Sequence, residues 1–140
     1  MNGNFFIEWL LRSPFHGMLS NGMMLITVTG RRTGKKFTTP ISYYESDGYL
    51  WTVSSRDRTW WKNLQGGAEV LLHLRGRDVR AFSEIDLNEE SVKTLMADFL
   101  THVPQAARSF GIRMENHIPN AEDVARIAKE RLFVKTKLLA

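Results

Sequence analysis

The sequence predicts a small α+β barrel, an antiparallel β-sheet with flanking helices, in one domain spanning residues 1–140. Three observations carry that prediction. Strand-like segments crowd between about 23 and 85, a helical apolar stripe fills 88–103, and an alternating segment returns at 132–139. With 43% hydrophobic and 24% charged residues, a chain of 140 residues can bury a core and remain soluble.

FFIEWLL (5–11) is interrupted by Glu8 and followed at once by Arg12 and Pro14. It is too short to span a bilayer and has neither a basic leader nor a small-residue cleavage site. It reads as an amphipathic helix, Asn4–Leu11, opening a helical N-terminal section over 4–20. That leaves peripheral membrane contact open and makes the cytoplasm the expected location.

MMLITVTG (23–30) is rich in β-branched and large apolar residues and stops at Gly30. KKFTTPISYYES (35–46) follows a short loop, and YLWTVSS (49–55) follows Asp47–Gly48, so the three segments read as two consecutive hairpins of a meander. In EVLLHLRG (69–76), Val70, Leu72 and Leu74 share one face, and Leu71, His73 and Arg75 the other. RDVRAFSEI (77–85) pairs back after a tight turn at Arg75–Gly76–Arg77. The stripe Val92, Leu95, Met96, Phe99, Leu100, Val103 predicts a helix capped by Asn88, with Glu89 and Glu90 in its first turn. A second helix opens at Asn120, with Glu122 and Asp123 early and Lys129 and Arg131 late, so that 88–132 reads as a helical region. LFVKTKLL (132–139) closes the sheet.

Several chemistries are excluded or disfavoured. No cysteine is present, which removes thiolate ligands and nucleophiles. His16, His73, His102 and His117 lack ligand spacing, no GxSxG elbow occurs, and Glu45, Asp47, Asp57, Glu69 and Glu84 form no acid–base pair, so no metal site is expected. A protein built this way leaves the chemistry to a bound cofactor. The net charge of +4 favours an anionic partner.

The densest positive segment is TGRRTGKKFTTP (29–40). It is not a phosphate loop of the nucleotide hydrolases: three residues rather than four separate its glycines, Lys36 follows Lys35, and a strand comes next. Two readings remain, a solvated hairpin tip or an anion site built from Arg31, Arg32, Lys35, Lys36 and the hydroxyls of Thr33, Thr38 and Thr39. Alternation places Lys35, Phe37 and Thr39 on one face and Lys36 and Thr38 on the other. SSRDRTWWKNL (54–64) supplies the second constellation. Trp60 and Trp61 are either core plugs or a wall beside a planar ring, with Ser55 and Arg56 as anion donors. The two basic segments end adjacent strands of the expected meander, so they are expected to converge on one mouth. Binding of single-stranded nucleic acid is a rival, offering Tyr43, Tyr44, Trp51, Trp60 and Trp61 for stacking. The modest charge and absence of an RNA-binding motif argue against it. A scaffold without cofactor is a further alternative.

LITVTGRRTGKKFTTPISYY…GYLWTVSSRDRTWWKNL…AEVLLHLRGRDVRA, over roughly 20–85, resembles the deazaflavin (coenzyme F-420)-dependent nitroreductase and quinone reductase family of the FMN-binding split-barrel type. The resemblance implies a split barrel that binds F-420, or FMN in related branches, and transfers hydride to a small quinone or nitroaromatic acceptor. It implies Arg31, Arg32, Thr33 and Lys35 as hairpin anion donors, with Thr38, Thr39 and Pro40 bordering the ring. Ser55 and Arg56 would meet the phosphate, and Trp60, Trp61 and Asn63 would close one side. Tyr43 or Tyr44 would hydrogen-bond the acceptor, and a homodimer is implied. Phe37 stands where the family commonly carries arginine, Gly66–Gly67–Ala68 replaces an Asn-Pro turn, and the 104–128 region is longer than the usual link.

Overall fold

The computed structural model of this chain describes residues 22–139. The helix expected within 4–20 lies outside them. The remaining elements, in chain order, are β1 (Met23–Thr29), β2 (Lys36–Ser42), β3 (Tyr44–Ser46), β4 (Tyr49–Ser55), a 3-10 turn (Trp60–Leu64), β5 (Ala68–Leu74) and β6 (Arg77–Asp86). Then come α1 (Glu89–His102), a second 3-10 turn (Pro104–Ala107), β7 (Met114–Glu115), β8 (Ile118–Pro119), α2 (Ala121–Ala128) and β9 (Arg131–Leu138). The α+β class and the antiparallel split-barrel type of sheet are the ones expected. The strand order is β2-β1-β5-β6-β9-β4-β3, so β2 and β4 are not neighbours and the expected meander of two consecutive hairpins is corrected. The segment 35–46 breaks at Tyr43 into β2 and β3, and the Tyr43 N–H donates to Gly22 O at 2.9 Å, one step beyond Met23↔Ser42 in the β1–β2 register.

The chain forms two compact units. The first runs to Thr52, resumes over Thr59–Ile85 and takes in the chain from Val134. Its core follows from the strand alternation. In β1, Met24, Ile26 and Val28 are fully buried, and Val70, Leu72 and Leu74, which share one face of β5 as expected, are buried. Each such side chain contributes about 1.5–3 kcal/mol by leaving water. Two hairpins are closed by residues with positive φ, Asp47–Gly48 (56° and 80°) and Arg75–Gly76 (51° and 82°), the backbone hand that matches strand twist. Trp60, Trp61 and Leu64 of the 3-10 turn are buried in this unit, as a core plug requires. Deep in the sheet, the hydroxyls of Ser83 and Thr136 satisfy one another at 2.7 Å.

The second unit comprises Val53–Arg58 and Asp86–Phe133. Asn88 Oδ1 accepts from the Ser91 N–H at 2.9 Å and so caps α1, whose Val92, Met96 and Leu100 are buried. Asn120 caps α2 in the same way through the Asp123 N–H at 3.0 Å. The helical region expected over 88–132 is interrupted by the β7–β8 hairpin, which turns on Asn116 and His117 at φ 53° and 66°. Four strand residues are too few to show a period. No helix among the described residues is long and apolar enough to cross a membrane.

Candidate functional site

The basic tip is a folded loop. Gly30 N–H donates to Lys35 O at 2.7 Å, Gly34 N–H to Gly30 O at 2.8 Å, and Lys35 N–H to Thr33 Oγ1 at 3.2 Å. Gly34 takes φ 73°, which a side chain would disfavour. Arg31 ties the tip to the chain beyond the tryptophans. Its backbone N–H donates to Asn63 Oδ1 at 3.1 Å, its Nη2 donates to Gln65 O, and Asn63 Nδ2 donates to Trp60 O at 3.2 Å. Arg31 and Asn63 thus act as a clasp between loop and 3-10 turn. Arg32, Lys35 and Lys36 are exposed and form no ion pair among the described residues.

Below the tip the sheet parts. β1 pairs with β2 along its whole length, from Met23↔Ser42 to Thr29↔Lys36, and β5 pairs with β6 from Leu74↔Arg77 down to Ala68↔Ser83. Between β1 and β5, however, only Leu25↔His73, Ile26↔Leu72 and Thr27↔Leu71 are paired. Past Thr27 and Leu71 the ladder ends while both strands continue. The gap opens as a cleft of about 340 Å³, lined by Thr27, Thr29, Lys36, Glu69, Val70, Leu71 and Arg80. That volume is at the small end of ligand sites, about 300–1,000 Å³. Leu71, 39% exposed, lies between Thr27 and Arg80 in the two registers. Thr27 and Thr38 share a hydrogen bond between their hydroxyls at 2.7 Å. Arg80 Nε sits 3.5 Å from Glu69 Oε2, both side chains being more than half exposed. Among the described lining residues, two cations and one carboxylate sum to one net positive charge, supplemented by hydroxyls and a small apolar floor. Such a surface suits an anion attached to an organic chain.

The expected residues divide accordingly. Lys36 lines the cleft, and Thr38 joins it through Thr27. Thr39 is buried on the opposite face, opposite Ile26 in the register, so the two threonines cannot border one ring together. Pro40 is half-buried opposite Leu25. Tyr43 and Tyr44 are buried and neither lines the cleft; the Arg75 guanidinium lies 5.9 Å from the Tyr43 ring centre. Ser55 and Arg56 lie in the second unit. Ser55 Oγ donates to Asp57 Oδ1 at 2.6 Å. Arg56 donates from Nε to Arg131 O at 2.8 Å and from Nη2 to Leu87 O and Ala128 O, both at 2.9 Å. Those bonds fasten three stretches of backbone within that unit. Thr27, Thr29, Glu69, Leu71 and Arg80 were not singled out in the sequence as site residues. The outward phase of β5 and β6 places Glu69, Leu71 and Arg80 on one face, but it gives no sign that β1 and β5 separate there.

A model of the family described as F420H(2)-dependent quinone reductase matches residues 14–119. Among solved structures, a NimC/NimA family protein from Clostridium acetobutylicum superposes with a TM-score of 0.50 at 16% identity, over 91% of this chain and 86% of that one. The general stress FMN/FAD binding protein of Xanthomonas citri gives 0.50 at 14%, over 86% and 78%. A putative 5-nitroimidazole antibiotic resistance protein from Bacteroides thetaiotaomicron gives 0.52 at 10%, over 89% and 78%. At these identities the likeness is one of fold. No curated protein sequence matches the chain.

Proposed function

The chain belongs to the F420H(2)-dependent quinone reductase family, and from that membership we propose that it is an F-420-dependent oxidoreductase whose β1–β5 cleft takes the phosphate-bearing chain of the cofactor. The parting of the two strands past Thr27 and Leu71 carries this reading, because it exposes cations and hydroxyls together in one concavity. Lys36 and Arg80 would neutralise the phosphate, Thr29 would donate a hydrogen bond, and Thr27 would donate a second while accepting from Thr38. Arg32 and Lys35 at the tip would raise the local anion concentration. Ser55 and Arg56 are not assigned to the phosphate, because the hydroxyl of one and the Nε and Nη2 of the other bind within the second unit.

When bound in reduced form, the deazaflavin supplies hydride to an oxidised acceptor. The chain's own task is to hold the two partners at about 3–3.5 Å in an aligned pose and to exclude water from between them. A small quinone or nitroaromatic is the acceptor class that fits a hydride acceptor of planar form. Neither Tyr43 nor Tyr44 is given a role in binding it, since both are buried outside the cleft lining. A homodimer belongs to the same reading, with Leu71 and Phe82 as apolar contacts on the exposed sheet face; size-exclusion chromatography with light scattering tests it.

The cofactor assignment is tested by incubating the protein with F-420 or with FMN, desalting, and recording the absorption spectrum. Retention of F-420 is expected. Retention of FMN alone, or of neither, overturns the proposal.

A further inference from the structure

We propose that Glu69 is a specificity-determining residue of the cleft, accepting hydrogen bonds from hydroxyl groups of the ligand chain and selecting a phosphorylated polyol over a bare anion. The inference rests on the cleft being the cofactor's phosphate site. An anion site gains nothing from a carboxylate unless the ligand brings donors to meet it, because a carboxylate accepts hydrogen bonds and repels negative charge. Among the described residues that line the cleft, Glu69 is the one carboxylate, beside Thr27, Thr29, Lys36 and Arg80. Its Oε2 lies 3.5 Å from Arg80 Nε, which fixes it as the negative member of a loose pair rather than a fully neutralised one. Its side chain remains 56% exposed, so acceptor capacity is left for a ligand.

The arrangement brings two chemistries into one cleft. Lys36, on the β2 side, and Arg80, on the β6 side, attract phosphate; Glu69, on β5, attracts hydroxyls. The sugar-alcohol chain of a deazaflavin or flavin phosphate carries both groups in series. Inorganic phosphate lacks the hydroxyl chain: apart from its residual P–OH it presents only the negative charge that Glu69 repels.

The test is an NMR titration of the full-length protein with ribitol 5-phosphate and, separately, with inorganic phosphate. Wild-type protein is expected to prefer the polyol phosphate by about fivefold or more, the worth of a hydrogen bond to a charged acceptor partly offset by lost hydration. Glu69→Ala should reduce that preference to about twofold or less, chiefly by tightening inorganic phosphate. Glu69→Gln, which keeps the shape and one acceptor oxygen, should fall between them and shows the same trend should the alanine variant fold poorly. A preference unchanged in both variants overturns the role of Glu69 while leaving the cofactor assignment standing. Failure of wild type to bind either probe, with F-420 still retained after desalting, overturns the placement of the cleft and this inference with it. Failure to retain F-420 at all sinks the functional reading itself.

Discussion

Asn63 holds Arg31 by its backbone: Oδ1 accepts the Arg31 N–H at 3.1 Å, while Nδ2 donates to Trp60 O at 3.2 Å. One amide side chain thus joins the basic tip to the turn that buries both tryptophans. Asn63→Ala should destabilise the protein by about 1–2 kcal/mol, two modest hydrogen bonds. Asn63→Asp, keeping only the acceptor, should cost less. Thermal unfolding of both variants checks the order, and equal losses would mean that the bond to Arg31 contributes nothing.

Among the described residues Arg32 has no comparable tie. It is exposed and makes no ion pair among the described residues. Arg32→Glu should weaken F-420 binding by about tenfold, or about 1.4 kcal/mol, with no change in melting temperature. An unaltered affinity would make the tip solvated surface only.

The Ser83–Thr136 pair is fully buried, so removing one hydroxyl strands the other. Ser83→Ala should cost about 1–3 kcal/mol, and the Ser83→Ala/Thr136→Val double variant should lose less than the sum of the two single changes. Additive losses in chemical denaturation would contradict a direct interaction.

Acid should weaken the second unit through Asp123. Its carboxylate accepts from Arg113 Nε and backbone N–H, both at 2.9 Å, and from Arg126 Nη1 at 3.1 Å. The Arg113 hydrogen bonds hold its carboxyl well below the usual range. The unfolded chain therefore binds a proton at this residue below about pH 4, where the folded one still resists it, and stability falls as pH drops. Asp123→Asn should be less stable than wild type at neutral pH and lose less between pH 5 and 2. Parallel curves for the two proteins would refute the assignment.

Much of this was legible in the residues. The common face of Val70, Leu72 and Leu74, the Asn88 and Asn120 caps, and the Asp47–Gly48 and Arg75–Gly76 turns all follow from local pattern. The cleft was not legible, because alternation fixes which face a side chain takes but not where two distant strands stop pairing. Nor was the use of Arg56: after a strand and beside Ser55 it reads as an anion donor, and only the folded chain brings the carbonyls of Leu87, Ala128 and Arg131 to it. Gly66–Gly67 also acquires meaning only in three dimensions. A Cβ at Gly67 would lie 2.5 Å from the Phe82 ring, beneath which the chain enters β5 at φ 92°.

Lys36 offers the most direct measurement, being the exposed cation on the β2 side of the parted strands. Titrating F-420 against wild type and Lys36→Glu, with cofactor fluorescence as the signal, should give saturable binding in both and an affinity lower by about tenfold or more in the variant. Identical affinities, at unchanged melting temperature, would show that the phosphate lies elsewhere and that the cleft between β1 and β5 is not the cofactor's seat.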